Sequence, residues 1–161
     1  MTNFALSEQT YLMRPGYIML HRDKHMVYGV LGSGVFVGLY DSRNHYSGCC
    51  SFQLPRSQNT RDTARYGEQA LRWLINRMQH EGSESGDLRA HVIGGGVQAD
   101  NAFGEKNIHV AMEVLHELDV AVESTDTGGH MGRKYVYNTA TGESMIMKVH
   151  EIRSRDWFPY N

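Results

Sequence analysis

Cysteine is scarce in this chain: its 161 residues contain two, Cys49 and Cys50, and they are adjacent. Neighbouring residues of a strand point to opposite faces of a sheet, so we do not expect a disulfide between them. Reduced thiols are typical of proteins that stay in the cytoplasm. The sequence therefore predicts a cytoplasmic protein without a disulfide framework.

Long apolar runs and clusters of like charge are also missing. The longest uncharged run, residues 26–40, is interrupted by glycines and is too short to span a bilayer. The N-terminus lacks the basic start and apolar core of a secretion signal. The net charge is −2, and the basic residues are scattered along the chain. We therefore expect no membrane insertion and no nucleic-acid partner.

Recognisable metal and nucleotide motifs are absent as well. The nine histidines include no HExxH pattern and no cysteine–histidine cluster with zinc spacing. The glycines between Gly32 and Gly38 do not have the spacing of a dinucleotide fingerprint, and GGHMGRK lacks the Lys-Ser or Lys-Thr ending of a phosphate loop. We expect neither a cofactor nor a metal site.

The sequence does contain strand patterns in its first third and helix patterns afterwards. Residues 26–40 predict one or two strands broken near Gly32-Ser33-Gly34, and residues 49–55 predict another that Pro55 ends. Apolar residues at helical spacing predict helices over 64–82 and 107–118.

The second half of the chain alternates strands with these helices. Residues 88–96 and 120–123 predict strands, residues 124–134 a glycine-rich loop, and residues 135–138 and 144–149 a hairpin. These patterns indicate one α/β domain. We place its bounds at 21–150, with an N-terminal leader (1–20) and a C-terminal tail (151–161).

Three glycine clusters stand out: Gly32 with Gly34, Gly94-Gly95-Gly96, and Gly128-Gly129 with Gly132. One interpretation is that they form sharp turns with positive φ. The other is that they converge on a groove where a partner's backbone approaches closely. Spacing alone leaves both open.

The order of these segments resembles the CheD family of chemoreceptor glutamine deamidases. Six segments, in chain order, carry the resemblance: LGSGVFVGLYD (31–41), GCCSFQLP (48–55), RYGEQALRWLINRM (65–78), VIGGGVQA (92–99), FGEKNIHVAMEVL (103–115) and DTGGHMGRKYVYNTATG (126–142). The resemblance implies an α/β sandwich of mixed strands with two main helices packed outside. It also implies a reaction in which a thiolate attacks a glutamine side-chain amide, a histidine returns a proton to the departing ammonia, and a threonine orients that histidine.

The family's three catalytic positions are occupied by other residues here. Gly34 stands where the resemblance places the cysteine, Ser51 where it places the histidine, and Tyr28 where it places the threonine. Glycine cannot act as a nucleophile, and serine cannot replace histidine as a base near neutral pH. We predict that the deamidase site is lost.

A relocated nucleophile is the alternative. Cys49 shares the strand face of Ser51, and His45 or His130 would be the nearest base. The simpler interpretation is that both cysteines are small core residues, because an activated cysteine needs a specific electropositive setting.

Three functional hypotheses follow. The first is a CheD-like protein that binds a chemoreceptor or a CheC-like phosphatase without deamidating it. The second is an active deamidase that uses Cys49, and the third is a regulatory binding protein outside chemotaxis that kept the fold. The residues we expect to frame a binding groove are Ser33, Gly34, Ser51, Gly94, Gly95, Gly128, Gly129 and His130.

Overall fold

The computed structural model describes residues 10–57, 64–97, 103–153 and 156. Over these residues the chain forms two sheets and two α-helices. The elements, in chain order, are β1 (Thr10–Leu12), β2 (Ile18–His21), β3 (Met26–Leu31), β4 (Val35–Asp41), β5 (Tyr46–Phe52), α1 (Gly67–His80), β6 (Leu88–Gly94), α2 (Phe103–Glu117), β7 (Ala121–Thr127), β8 (Gly132–Asn138) and β9 (Ser144–Val149).

The strands divide between a small sheet and a large sheet. The small sheet has the strand order β1-β3-β8-β9, and the large sheet has the order β2-β5-β4-β6-β7. Both sheets are mixed, because β1 runs parallel to β3 and β7 runs parallel to β6 while the other pairs are antiparallel. The chain crosses from the small sheet to the large one between β3 and β4, through Gly32-Ser33-Gly34.

Two apolar cores hold three layers together. The larger core lies between the large sheet and the two helices, and α1 contributes its buried stripe of Ala70, Leu71, Leu74, Ile75 and Met78. The spacing of these residues places them on one face of a helix, which explains why α1 packs against the sheet. The smaller core lies between the two sheets and includes Leu31, Phe36, Cys49, Tyr135 and Tyr137.

This architecture confirms the predicted fold class, an α/β sandwich of mixed strands with both helices outside. The hairpin of 135–138 with 144–149 is present as β8 and β9. Helix α2 begins at Phe103, four residues before the expected start.

The prediction of a glycine-rich loop over 124–134 is wrong about its length, because the loop is shorter in the structure. Ser124–Thr127 continue β7, and Gly132–Lys134 begin β8, so the loop is confined to residues 128–131. The exposed edge strand β7 carries polar residues on its open face, and that pattern looks like a loop in the sequence.

The described residues of the N-terminal leader are paired with the domain. Strand β1 pairs with β3, and β2 pairs with β5 over Ile18–His21. Residues 1–9 and 157–161 lie outside the described residues, so the division at 20 and 150 stays a prediction.

Candidate functional site

The loop that crosses between the sheets carries Gly34, where the resemblance predicts the family's cysteine. Gly34 is buried there, and its carbonyl oxygen accepts a 2.8 Å hydrogen bond from the N–H of Gly95. The carbonyl of Gly32 accepts a 3.0 Å hydrogen bond from the N–H of Gly96. The first and second glycine clusters are therefore joined through their backbones.

The third cluster joins the same assembly. The N–H of Gly128 donates to the carbonyl of Gly94 at 3.0 Å, and the N–H of Val97 donates to the carbonyl of Gly129 at 2.7 Å. Gly94 has a φ of +110°, and a Cβ on it would lie 2.3 Å from the carbonyl oxygen of Gly34. The three clusters therefore converge, as one interpretation of the sequence predicts. The backbone that approaches each cluster closely belongs to this chain and not to a partner.

Helix α2 fixes the loops on either side of Gly34. Asn107 is fully buried, and its Nδ2 donates to the carbonyl of Ser33 at 3.0 Å and to that of Gln53 at 2.9 Å. The first turn of α2 packs on the second cluster, where a Cβ on Gly104 would lie 2.4 Å from the carbonyl oxygen of Gly96. Asn107 therefore anchors α2 to the two segments, at Ser33 and at Gln53, that lie beside Gly34.

A buried arginine fixes the third glycine loop. Arg133 is 2% exposed, and its Nε and Nη2 lie 3.2 Å from Oδ1 of Asp126. The same guanidinium donates to the carbonyls of Gly128 and Met131, at 2.8 and 3.2 Å. An arginine can satisfy several acceptors at once because its donors are held in a planar fork. Arg133 therefore holds both ends of the Asp-x-Gly-Gly-x-x-Gly-Arg segment together.

The segment Met13–Tyr17 connects Tyr28 and Ser51, where the resemblance predicts the threonine and the histidine. The N–H of Met13 donates to the carbonyl of Tyr28 at 2.8 Å, and the N–H of Gly16 donates to the carbonyl of Ser51 at 2.7 Å. Ser51 is 1% exposed, and its own N–H donates to the carbonyl of Tyr17 at 3.3 Å. The sequence signal for this contact is the Pro15-Gly16 pair, which is typical of a turn and lies within the predicted leader (1–20).

These three positions hold none of the groups that thiol catalysis requires. Gly34 has no side chain, Ser51 offers a hydroxyl, and Tyr28 offers a phenol. A thiolate nucleophile and an imidazole are both missing here.

Cys49 lies in the core between the sheets and is fully buried. Burial, with a smaller contribution from Cys50, raises the pKa of the Cys49 thiol well above its usual value. Burial also raises the pKa of Cys50 to about 12. Both His45 and His130 are exposed at the surface, so neither shares the buried environment of Cys49.

The predicted groove residues divide into two groups. Ser33, Gly34, Gly94 and Gly95 are buried within the glycine assembly, and Ser51 is buried on β5. The loop at Gly128, Gly129 and His130 reaches the surface, where a Cβ on either glycine would meet nothing within 4 Å.

The described residues contain neither a metal-binding cluster nor a membrane-spanning helix. No group of three or more His, Cys, Asp or Glu side chains that could hold a metal occurs among them. None of the helices found there is long and apolar enough to cross a bilayer.

Comparison with known proteins agrees with the resemblance read from the sequence. The model of the family "CheD chemotactic sensory transduction" matches residues 53–148. A "Probable chemoreceptor glutamine deamidase CheD" from Rhodospirillum rubrum is 35% identical over 142 residues, which are 85% of this chain and 81% of that protein. This chain belongs to the CheD family. A protein with the same description from Trichlorobacter lovleyi is 36% identical over 142 residues, covering 84% of this chain and 88% of the relative.

The family match starts after the stretch that carries the altered positions. It begins at Gln53, so Tyr28, Gly34 and Ser51 all precede it. The matched part contains both helices and the second and third glycine clusters. The two relatives cover 85% and 84% of this chain, so their similarity also extends into the segment before Gln53.

Proposed function

We propose that this chain is a CheD-family protein of the cytoplasm that binds a chemoreceptor without deamidating it. Gly34 carries the proposal, because the position of the family's nucleophile has no side chain. Ser51 supports it, since a serine hydroxyl cannot return a proton to ammonia as an imidazole does. The relatives are described as probable chemoreceptor glutamine deamidases, which makes a chemoreceptor the first partner to test.

The scaffold around the lost site supports a role in binding. Asn107 and Arg133 hold the glycine assembly together through hydrogen bonds, so we expect its outer surface to be rigid. A rigid surface loses little conformational entropy when a partner binds.

Exposed apolar side chains border this assembly. Val97 follows the second cluster and is 39% exposed, and Phe103 begins α2 and is 41% exposed. Tyr17, which contacts Ser51 through its backbone, is 49% exposed. Aromatic and apolar side chains of this kind supply much of the energy of protein interfaces. We assign this surface to a cytoplasmic helix of a chemoreceptor, and a CheC-like phosphatase is the other partner to test.

A binding measurement with matched variants tests the proposal. We expect an immobilised receptor cytoplasmic fragment to retain the wild-type protein. Phe103→Ala should weaken the affinity by about tenfold, as for a residue near the centre of an interface. Trp73→Ala is the matched control, because Trp73 is exposed to a similar degree, 46%, but lies on α1. Equal losses in both variants, or no retention of the wild type, would contradict the assignment of this surface.

The relocated thiol at Cys49 remains the alternative enzyme hypothesis. Its full burial and raised pKa oppose it, because the thiolate is the nucleophile and burial disfavours the charged form. Loss of a deamidase activity in Cys49→Ala would support this hypothesis over ours.

A regulatory protein outside chemotaxis is the third hypothesis. Affinity capture from cells that recovers other proteins reproducibly, and neither chemoreceptors nor CheC-like proteins, would favour it. The fold alone does not exclude it, because one fold serves many functions.

A further inference from the structure

A second cluster of reactive side chains lies away from the glycine assembly. His91 on β6 is 8% exposed, and its Nδ1 lies 2.5 Å from Oγ of Ser124. Its Nε2 lies 3.2 Å from Oε2 of Glu123. A serine, a histidine and a carboxylate are thus joined through one imidazole ring.

A bulge in β7 makes this arrangement possible. Ala90 pairs with Val122 and His91 pairs with Ser124, so Glu123 is an extra residue in the strand. Consecutive residues of a regular strand point to opposite faces, and only an irregularity lets two of them contact the same ring. Bulges occur often beside active sites, where they redirect side chains.

The contacts determine the tautomer of His91. The Glu123 carboxylate can only accept a hydrogen bond, so Nε2 carries the proton. Nδ1 then has a free lone pair and accepts the hydroxyl proton of Ser124. Burial lowers the pKa of His91, which Glu123 opposes, and the lowered pKa keeps the ring neutral and able to act as a base. These are the roles of nucleophile, base and orienting carboxylate in serine hydrolases.

The cluster opens into a cleft of about 880 Å³ between the two sheets. The cleft lies where the edge strands β7 and β9 face each other, and the turn between β8 and β9 approaches His91 closely. A Cβ on Gly142 in that turn would lie 3.3 Å from Nε2. Ser124 lines the cleft and is exposed to it.

The charges of the cleft indicate the class of substrate. Among the described residues that line it, three carry carboxylates, Glu123, Asp126 and Glu143, and none is a lysine or an arginine. Asp126 is paired with Arg133 and Lys148, at 3.2 and 3.5 Å. Glu123 is paired with His91, so Glu143 remains to attract positive charge and repel anions.

We propose that this cleft is a serine esterase site for neutral or cationic carboxylic esters. Oγ of Ser124 attacks the ester carbonyl carbon while its proton moves to Nδ1 of His91. The carbon–oxygen bond to the alcohol breaks, and the departing alkoxide takes that proton. Water, deprotonated by His91, then attacks the acyl-serine, which releases the carboxylic acid and returns the proton to Ser124. Glu123 is a positioning residue that orients the ring.

Covalent labelling tests the nucleophile directly. The full chain is incubated with an uncharged fluorophosphonate, which reacts with an activated serine and releases fluoride. We expect peptide mass spectrometry to find the label on Ser124 and to find none in His91→Gln. Ser42→Ala, an exposed serine that does not line the cleft, is the matched control and should label normally. Labelling on other residues, or no labelling of the folded wild type, would overturn the proposal.

Ester hydrolysis tests the mechanism and the charge preference. We expect the 4-nitrophenyl ester of N-acetyl-lysine to be cleaved faster than 4-nitrophenyl hydrogen succinate, which carries a negative charge. His91→Gln should lower kcat by about 100-fold, the usual contribution of a general base. Glu123→Ala should lower kcat with little change in KM, and Glu123→Gln, which keeps a hydrogen-bond acceptor, should recover part of the loss. Equal rates in wild type and Ser124→Ala, with circular dichroism showing both folded, would refute the site.

Discussion

The carbonyl oxygen of Gly34 accepts a hydrogen bond from the N–H of Gly95, so the position where the resemblance predicts a nucleophile forms part of the backbone contact between two glycine clusters. The two segments lie some 60 residues apart in the chain and meet at the point where the chain crosses between the sheets. This position therefore serves the fold even without a reactive side chain.

Alanine substitutions at Gly34 and Gly94 should have very different effects. A Cβ on Gly34 would lie 3.1 Å from the carbonyl of Phe52, a tight contact that a small shift relieves. A Cβ on Gly94 would lie 2.3 Å from the carbonyl of Gly34, at a φ of +110°. We expect Gly34→Ala to cost about 1 kcal/mol of unfolding free energy or less, and Gly94→Ala about 2 kcal/mol or more. Urea unfolding compares the two, and equal costs would contradict the packing described here.

Replacing Asn107 with aspartate should destabilise the protein more than replacing it with alanine. Its Nδ2 donates to the carbonyls of Ser33 and Gln53, and aspartate would place a carboxylate oxygen against both. We expect Asn107→Ala to lower the unfolding free energy by about 1–3 kcal/mol and Asn107→Asp by more. Denaturant unfolding measures both, and an aspartate variant as stable as the wild type would show that these hydrogen bonds are not important.

The two thiols should be nearly unreactive in the folded protein. Cys49 and Cys50 are fully buried, and burial raises the pKa of each. We expect Ellman's reagent to modify neither thiol quickly at neutral pH and to modify both in denaturant. Fast native labelling of Cys49 would instead support a relocated catalytic thiol.

Stability should fall as the pH is lowered from 7 to 4. Burial, together with the charge of nearby His25, lowers the pKa of His21 to about 4. The unfolded chain protonates this residue near pH 6.5, so between these values the unfolded state binds more protons and is favoured. We expect His21→Gln to flatten this part of the pH dependence in thermal unfolding. His150→Gln, an exposed position, is the control and should leave the slope unchanged.

Part of this structure follows directly from the sequence. The apolar stripe of α1 predicts a helix on the large sheet because residues three and four apart share a face. Strand β7 was predicted too short because an edge strand with exposed polar residues has no alternating pattern. The contact of Met13–Tyr17 with Tyr28 and Ser51 is made by backbone groups, which leave no side-chain pattern in the sequence.

The two candidate sites also differ in how far the sequence can predict them. The residues at Tyr28, Gly34 and Ser51 can be compared with the family's pattern directly, because each lies in or beside a contiguous segment that carries the resemblance. The cluster of Ser124 with His91 depends on a one-residue bulge that pairs two strands distant in the chain. The spacing of residues within a single segment of the sequence therefore cannot predict this cluster.

Deamidation of a receptor fragment tests the central claim most directly. The wild-type protein is incubated with a chemoreceptor cytoplasmic fragment, and peptide mass spectrometry follows the conversion of glutamine to glutamate. The Rhodospirillum rubrum relative is run in parallel to show that the fragment is a substrate. We predict no conversion by this chain while the fragment remains bound to it. Conversion that depends on the added protein would contradict the account, and its loss in Cys49→Ala would identify the new nucleophile.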